Sequence, residues 1–147
     1  MLKPMNGLTD WSAIVIVLGP NSQTVMVLNL SKEDPIWKFP GGKKDGDEEA
    51  KGTAIRELKE ETGIKVEKKD LKLVLEIDKS GHINPHTVFV FTASMSSFKG
   101  FEKKGKETDS ELLVEVIEVK KLVNKKKFLA QHKKWLKEIL KNNPARK

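Results

Sequence analysis

The run from Gly42 to Ile64, GKKDGDEEAKGTAIRELKEETGI, limits what this chain can become more than any other part of it. Pro40-Gly41-Gly42 ahead of it cannot continue a strand, so the backbone must turn there. Asp47 is placed to cap a helix, Glu48 and Glu49 fall where the helix dipole favours negative charge, and Gly63 supplies the stop. The pattern predicts a helix from about Glu48 to Thr62. Turning roughly 100° per residue, Ala50, Ala54 and Leu58 share one arc and Glu57, Glu60 and Glu61 the adjoining one. Like charges crowded at the border of a buried face raise one another's pKa and oppose folding. A hard divalent cation resolves that conflict, because Mg²⁺ takes a few carboxylates together with substrate phosphate and water. Arg56, beside the cluster, can pair with a carboxylate through its planar fork. The competing reading is a solvated acidic face with ordinary Lys–Glu pairing.

The spacing decides between them. Gly42, Glu48, Arg56, Glu57, Leu58, Glu60, Glu61, Gly63 and Ile64 stand at every defining position of the signature that this run resembles, that of the Nudix hydrolases. The resemblance implies hydrolysis of a nucleoside diphosphate linked to another group, with Mg²⁺ or Mn²⁺, by water attacking a phosphorus of the pyrophosphate. It implies that Glu57, Glu60 and Glu61 are metal ligands, that the Gly42 carbonyl can join them, and that a helix glutamate such as Glu57 or Glu60 activates the water. Arg56 matches the residue that orients these glutamates, and Glu48 one that supports loop and helix. Many members add a glutamate from farther along the chain. Glu111 is the choice here, although Glu107 or Glu115 could replace it.

The remainder of the chain fits one domain over residues 1–147, with its core at about 11–141. Apolar and charged residues make up 37% and 33%, a balance that suits a soluble globular protein, and no apolar run reaches membrane-span length. With no cysteine there is neither a disulfide framework nor a thiolate metal site, and the cytoplasm is the expected compartment. The formal net charge of +7 suits a polyanionic partner: a nucleotide, an RNA 5′ end or a diphosphoinositol polyphosphate. Solubility alone explains it equally well.

Ala13–Leu18 reads as a strand buried on both faces, and Thr24–Leu30 as its hairpin partner across Gly19-Pro20-Asn21-Ser22. Trp37, just before the glycines, could stack on a base, although packing in the core or on a hairpin flank is the favoured reading, and Phe39 is a further candidate substrate contact. Leu71, Leu73, Leu75 and Ile77 alternate as a strand with one buried face, and Thr87–Ala93 forms the next. Between them His82 and His86 can contact phosphate or move a proton. Ser94–Lys106 reads as a polar loop carrying Phe98 and Phe101, followed by a strand over Leu112–Val119. A terminal helix from about Asn124 carries an apolar stripe of Phe128, Leu129, His132, Trp135, Leu136, Ile139 and Leu140. His132 reads as a packed residue. Lys125 to Lys127 crowd the helix start, where cations are disfavoured, and Lys127 is the candidate anion contact.

These elements give an α+β class with mixed α/β character. The resemblance sharpens this to an α/β/α sandwich with a mixed sheet between helices. On substrate, family markers are negative. Lys79 and Ser80 occupy the place of the proline that marks ADP-ribose members, there is no tyrosine, and the NADH and coenzyme A signatures are missing. A nucleoside triphosphate, oxidised forms included, is the expectation, cleaved to monophosphate and pyrophosphate. A Nudix-type module that senses a nucleotide or RNA without cleaving it is the alternative from another class.

Overall fold

The computed structural model describes residues 2–95, 104–107, 110–122 and 127–141. The apolar run forms β1 (Trp11–Leu18), and it lies at the centre of a sheet because both of its faces are apolar. On one edge it pairs antiparallel with β3 (Gly41–Lys43), and on the other parallel with β5 (His86–Ser94). β4 (Leu71–Lys79) closes the far side, antiparallel to β5. A second, antiparallel sheet has the order β2 (Gln23–Asn29), β7 (Ser110–Glu118), β6 (Lys104–Glu107).

The expected hairpin of the first two strands does not form. β1 is flanked by β3 and β5, and β2 instead pairs with β7 along its whole length, from Gln23 to Asn29. A 3-10 turn at Pro20–Ser22 carries the chain into the other sheet, with Gly19 N–H donating to the Gln23 carbonyl at 2.8 Å. Lys104–Lys106, expected in a loop, belong to β6, while Phe98 and Phe101 lie outside the described residues. The expected single buried face of β4 is also overturned. A register shift between Leu73 and Leu75 turns the strand over, so Leu71 and Leu73 pack into one core, and Val74, Leu75 and Ile77 into the other.

Those two cores are the layers of the sandwich. Ala13, Val15 and Val17 of β1, with Phe89 and Phe91 of β5, face Ala50, Ala54 and Leu58 of α1 (Ala50–Thr62). Ile14, Ile16 and Leu18, with Val88 and Val90, face the opposite way. That side receives α2 (Val119–Leu122) and α3 (Ala130–Lys141) through Leu122, Trp135, Leu136 and Ile139. Period-two alternation in β1 thus feeds both layers, and truncating a fully buried Leu58 to alanine would cost about 2–5 kcal/mol.

Helix boundaries differ from the sequence pattern at two places. α1 begins at Ala50, and its capping position is Glu49 rather than Asp47, with no side-chain cap bond. Glu48, read as helical, is held outside by other partners. Gly63 does end the helix in the left-handed region, at φ 78°. α3 begins at Ala130, not near Asn124, which lies outside the described residues. Phe128 and Leu129 precede α3 and are used as extended backbone: Trp37 N–H donates to the Lys127 carbonyl, and Leu129 N–H to the Trp37 carbonyl at 2.8 Å.

His132 has a role that periodicity does not reveal. It is 5% exposed and stacks between Phe39 and Trp135, and the Phe39 N–H donates to its Nδ1 at 3.0 Å. α3 therefore holds the segment that leads into the glycines. Burial lowers the pKa of the ring to about 3, with repulsion from Lys38 adding to the effect. The sign follows from linkage. Above the ordinary value of about 6.5 neither state binds the proton; below it the unfolded chain does and the fold does not. Stability is therefore complete above that value and is lost as pH falls towards 3, at up to about 1.4 kcal/mol per pH unit. His132→Asn, which keeps an acceptor near Nδ1, should flatten the loss between pH 6 and 4 in denaturant titrations. Parallel pH curves for the two proteins would contradict this.

Candidate active site

The chain from Trp37 to Gly41 is fastened residue by residue. Trp37 binds the segment ahead of α3, Lys38 exchanges two backbone bonds with Val27 of β2, and Phe39 binds His132. The Pro40 carbonyl accepts from Val15 N–H at 2.9 Å, and Gly41 N–H donates to Glu61 Oε1 at 2.8 Å. The expected turn at Gly41-Gly42 is corrected to the start of β3, and a Cβ at Gly41 would sit 2.3 Å from the Ala13 carbonyl oxygen, so only glycine lets this strand lie against β1. A Cβ at Gly42 would sit 2.6 Å from Glu57 Cδ, which leaves that space to the carboxylate.

Arg56 is the hub of the site. Its Nε donates to Glu48 Oε2 at 2.7 Å and its Nη2 to Glu48 Oε1 at 3.0 Å, a two-pronged contact. Nη2 also reaches the Lys43 carbonyl at 3.0 Å, while Nη1 donates to Glu57 Oε1 at 2.9 Å and Glu60 Oε2 at 3.3 Å. Glu48 Oε1 further accepts from Asp45 N–H at 3.0 Å and from the Thr53 hydroxyl at 2.8 Å. The guanidinium bonds hold the Glu48 carboxyl below its ordinary pKa against the opposing effect of burial, and the same pairing raises Arg56.

Glu57 is largely covered and Glu60 half exposed, at 14% and 53%. Both line a cleft of about 590 Å³ together with Gly42, Lys38, Lys43 and Lys44. Glu61 is fully buried and turned towards Gly41. The three carboxylates expected side by side are therefore divided, and among the described residues no three acidic or imidazole groups gather tightly enough to cage a metal. The residues still fit a hard cation. The donors are oxygens only, the Gly42 cradle leaves Glu57 room, and an ion of this type brings phosphate and water as its remaining ligands.

The other sequence candidates are spread more widely. Glu111 lies in β7 opposite Lys106, and its side chain is outside the described set. Phe39 is corrected: at 0% exposure, edge-on to Phe128, it is core and cannot touch a substrate. Lys127 is corrected too. Its ammonium pairs with Asp34 at 2.7 Å, away from the cleft lining. Trp37 packs against the α3 core and does not line the cleft. His82 and His86 meet in a T-shaped contact at 5.5 Å, in a neighbouring cleft. The sequence reading missed Thr53 and Lys38. Thr53 stands five residues from Glu48, a separation that suggests no helical contact while Glu48 is taken as helical.

A model of the NUDIX domain matches residues 8–139. The chain belongs to the NUDIX family. A Bacillus subtilis relative named "Putative 8-oxo-dGTP diphosphatase" is 45% identical over 51 residues, 35% of this chain and 33% of its own length. The match thus spans about a third of that curated relative. Among solved structures, the MutT described from Aliivibrio salmonicida and Vibrio cholerae superposes with a TM-score of 0.67 at 16% identity, covering 90% of this chain and 98% of that one. A bifunctional NMN adenylyltransferase/ADP ribose pyrophosphatase from Francisella tularensis, complexed with AMP and a manganese ion, gives 0.69 at 19% identity, covering 90% and 41%. At those identities the likeness is one of fold, and it carries the NUDIX sandwich. No helix among the described residues is long and apolar enough to cross a membrane.

Gly42→Ala should push the Glu57 carboxylate off Arg56 and cost about 1–3 kcal/mol, the usual penalty of overpacking. Gly81→Ala, which meets nothing within 4 Å, is the control and should change stability by less than about 0.5 kcal/mol. Equal denaturant midpoints for the two variants would show that Gly42 does not make room for Glu57.

Proposed function

We propose that this NUDIX protein is a pyrophosphohydrolase that cleaves a nucleoside triphosphate, oxidised forms included, to the monophosphate and pyrophosphate in the cytoplasm. The observation that carries the reading is the Gly42–Glu57–Arg56–Glu60 arrangement: two carboxylates held by one guanidinium beside a strand residue that lacks a side chain. Lysines border the same cleft, which suits a substrate with several negative charges. The name of the Bacillus relative points to an oxidised purine triphosphate as a first substrate to try.

Glu57 and Glu60, with Glu61 behind them, would hold Mg²⁺ or Mn²⁺, and the Gly42 carbonyl and Glu111 complete the proposed set. When bound, such an ion neutralises phosphate oxygens, lowers the pKa of water and stabilises the departing phosphate. The protein's own groups do the rest. Lys38, Lys43 and Lys44 receive the phosphates. Arg56 fixes the rotamers of Glu57 and Glu60, so that little is lost in ordering them when substrate arrives. Glu57 or Glu111 accepts the proton that the attacking water gives up, and water attacks directly, without a covalent enzyme intermediate.

Phosphate or pyrophosphate release, measured across a panel of nucleotides with and without Mg²⁺, tests the reading. Glu57→Gln and Glu60→Gln should each lower kcat by at least about 10²-fold while leaving the unfolding midpoint nearly unchanged, consistent with loss of one electrostatic catalytic group. Turnover at the wild-type rate in both variants would remove the proposed site.

A further inference from the structure

The carboxylate cleft does not end at its lysines. Across Lys43 and Lys44, which line both, a second cleft of about 330 Å³ lies between the start of β1 and the turn from β4 to β5. Trp11, Ser12, His82 and His86 complete its working wall.

That wall offers donors. Lys43 and Lys44 contribute ammonium groups and Ser12 a hydroxyl. The turn also sets the imidazoles. Asn84 N–H donates to His82 Nδ1 at 3.2 Å, so the neutral His82 ring carries its proton on Nε2, facing away from that bond. His86 Nδ1 donates to the Asn84 carbonyl oxygen at 2.7 Å, so the neutral His86 ring orders the turn and adds no donor of its own to the cleft. Asp10 is the one carboxylate of this lining.

Trp11 gives the cleft no open indole face. Trp11 is 7% exposed, and the Lys44 ammonium, which also binds the Thr9 carbonyl, covers its ring at 4.1 Å from the centroid. The two imidazoles meet edge to face. A base finds no indole to stack on here, whereas an anion meets a lining that carries two lysines, a serine and the His82 Nε2–H. We propose that this cleft is a phosphate subsite, receiving the phosphate farthest from the nucleoside when the scissile pyrophosphate lies in the carboxylate cleft. It selects substrates with a third phosphate over diphosphates. This rests on the reading of the carboxylate cleft as the hydrolytic site.

The test needs no turnover. Binding of inorganic tripolyphosphate and of pyrophosphate is measured by calorimetry at fixed ionic strength, without divalent cations, on the full chain. The wild type should bind tripolyphosphate at least about tenfold more tightly than pyrophosphate. The double variant His82→Ala/His86→Ala, altered in an exposed turn, should bring the two affinities within about twofold of each other. Lys44→Met should weaken both ligands, because Lys44 lines both clefts. Equal affinities in the wild type, or a preference that the double variant retains, would overturn the subsite. Either outcome leaves the hydrolytic assignment standing, since that falls only with the glutamate variants.

Discussion

The guanidinium of Arg56 is where the site and the fold meet. One side chain on α1 ties together Glu48 from the loop, the Lys43 carbonyl from the end of β3, and Glu57 and Glu60 from its own helix. Remove that charge and several carboxylates are left to repel one another at the rim of a packed helix. Charge-assisted, two-pronged contacts of this kind are stronger than neutral hydrogen bonds, and they are partly shielded from water here, with Arg56 and Glu48 at 27% and 17% side-chain exposure. An isolated surface pair would matter little. This one matters because its partners join three pieces of backbone: the loop at Glu48, the end of β3 at Lys43, and α1 itself.

The rest of the molecule brings those pieces together. β1 is apolar on alternate residues towards both layers, so it must lie mid-sheet, and β3 is bound to its edge. α1 covers one face and places Glu57 beneath Gly42. From the other layer α3 reaches across with His132 to fix Phe39, three residues ahead of Gly42. The segment from Trp37 to Lys43 is thus clamped from both sides of the sandwich, which gives it the positional precision that phosphoryl chemistry asks of it.

Much of this is legible in the amino-acid sequence, and what is not has physical reasons. The Gly42–Ile64 spacing, the Gly63 stop and the doubly apolar β1 are local features, and they appear where the pattern puts them. The hairpin between β1 and β2 fails because strand partnership depends on which edges are free, a property of the whole sheet. The turn-over in β4 hides behind an unbroken alternation of Leu71, Leu73, Leu75 and Ile77. Phe128 fits the α3 stripe yet lies in extended backbone, since it pairs with Trp37, far away in the chain. Within the site, Arg56 beside acids suggests pairing, but Glu48 as its main partner is invisible while Glu48 is assigned to the helix. Phe39 looks like a substrate contact by position, and only packing reveals it as core.

An acidic helix is read here as a structural device before it is a chemical one: the arginine keeps the carboxylates in place, and the chemistry uses that placement. The most direct test is a double-mutant cycle on Arg56 and Glu48, using Arg56→Ala, Glu48→Ala and the pair, read by equilibrium unfolding in denaturant. The account predicts a coupling energy of about 1.5–3 kcal/mol, in the range of hydrogen bonds to charged groups. Single-variant effects that simply add, within about 0.5 kcal/mol, would show that the two residues act independently and that the latch does not exist.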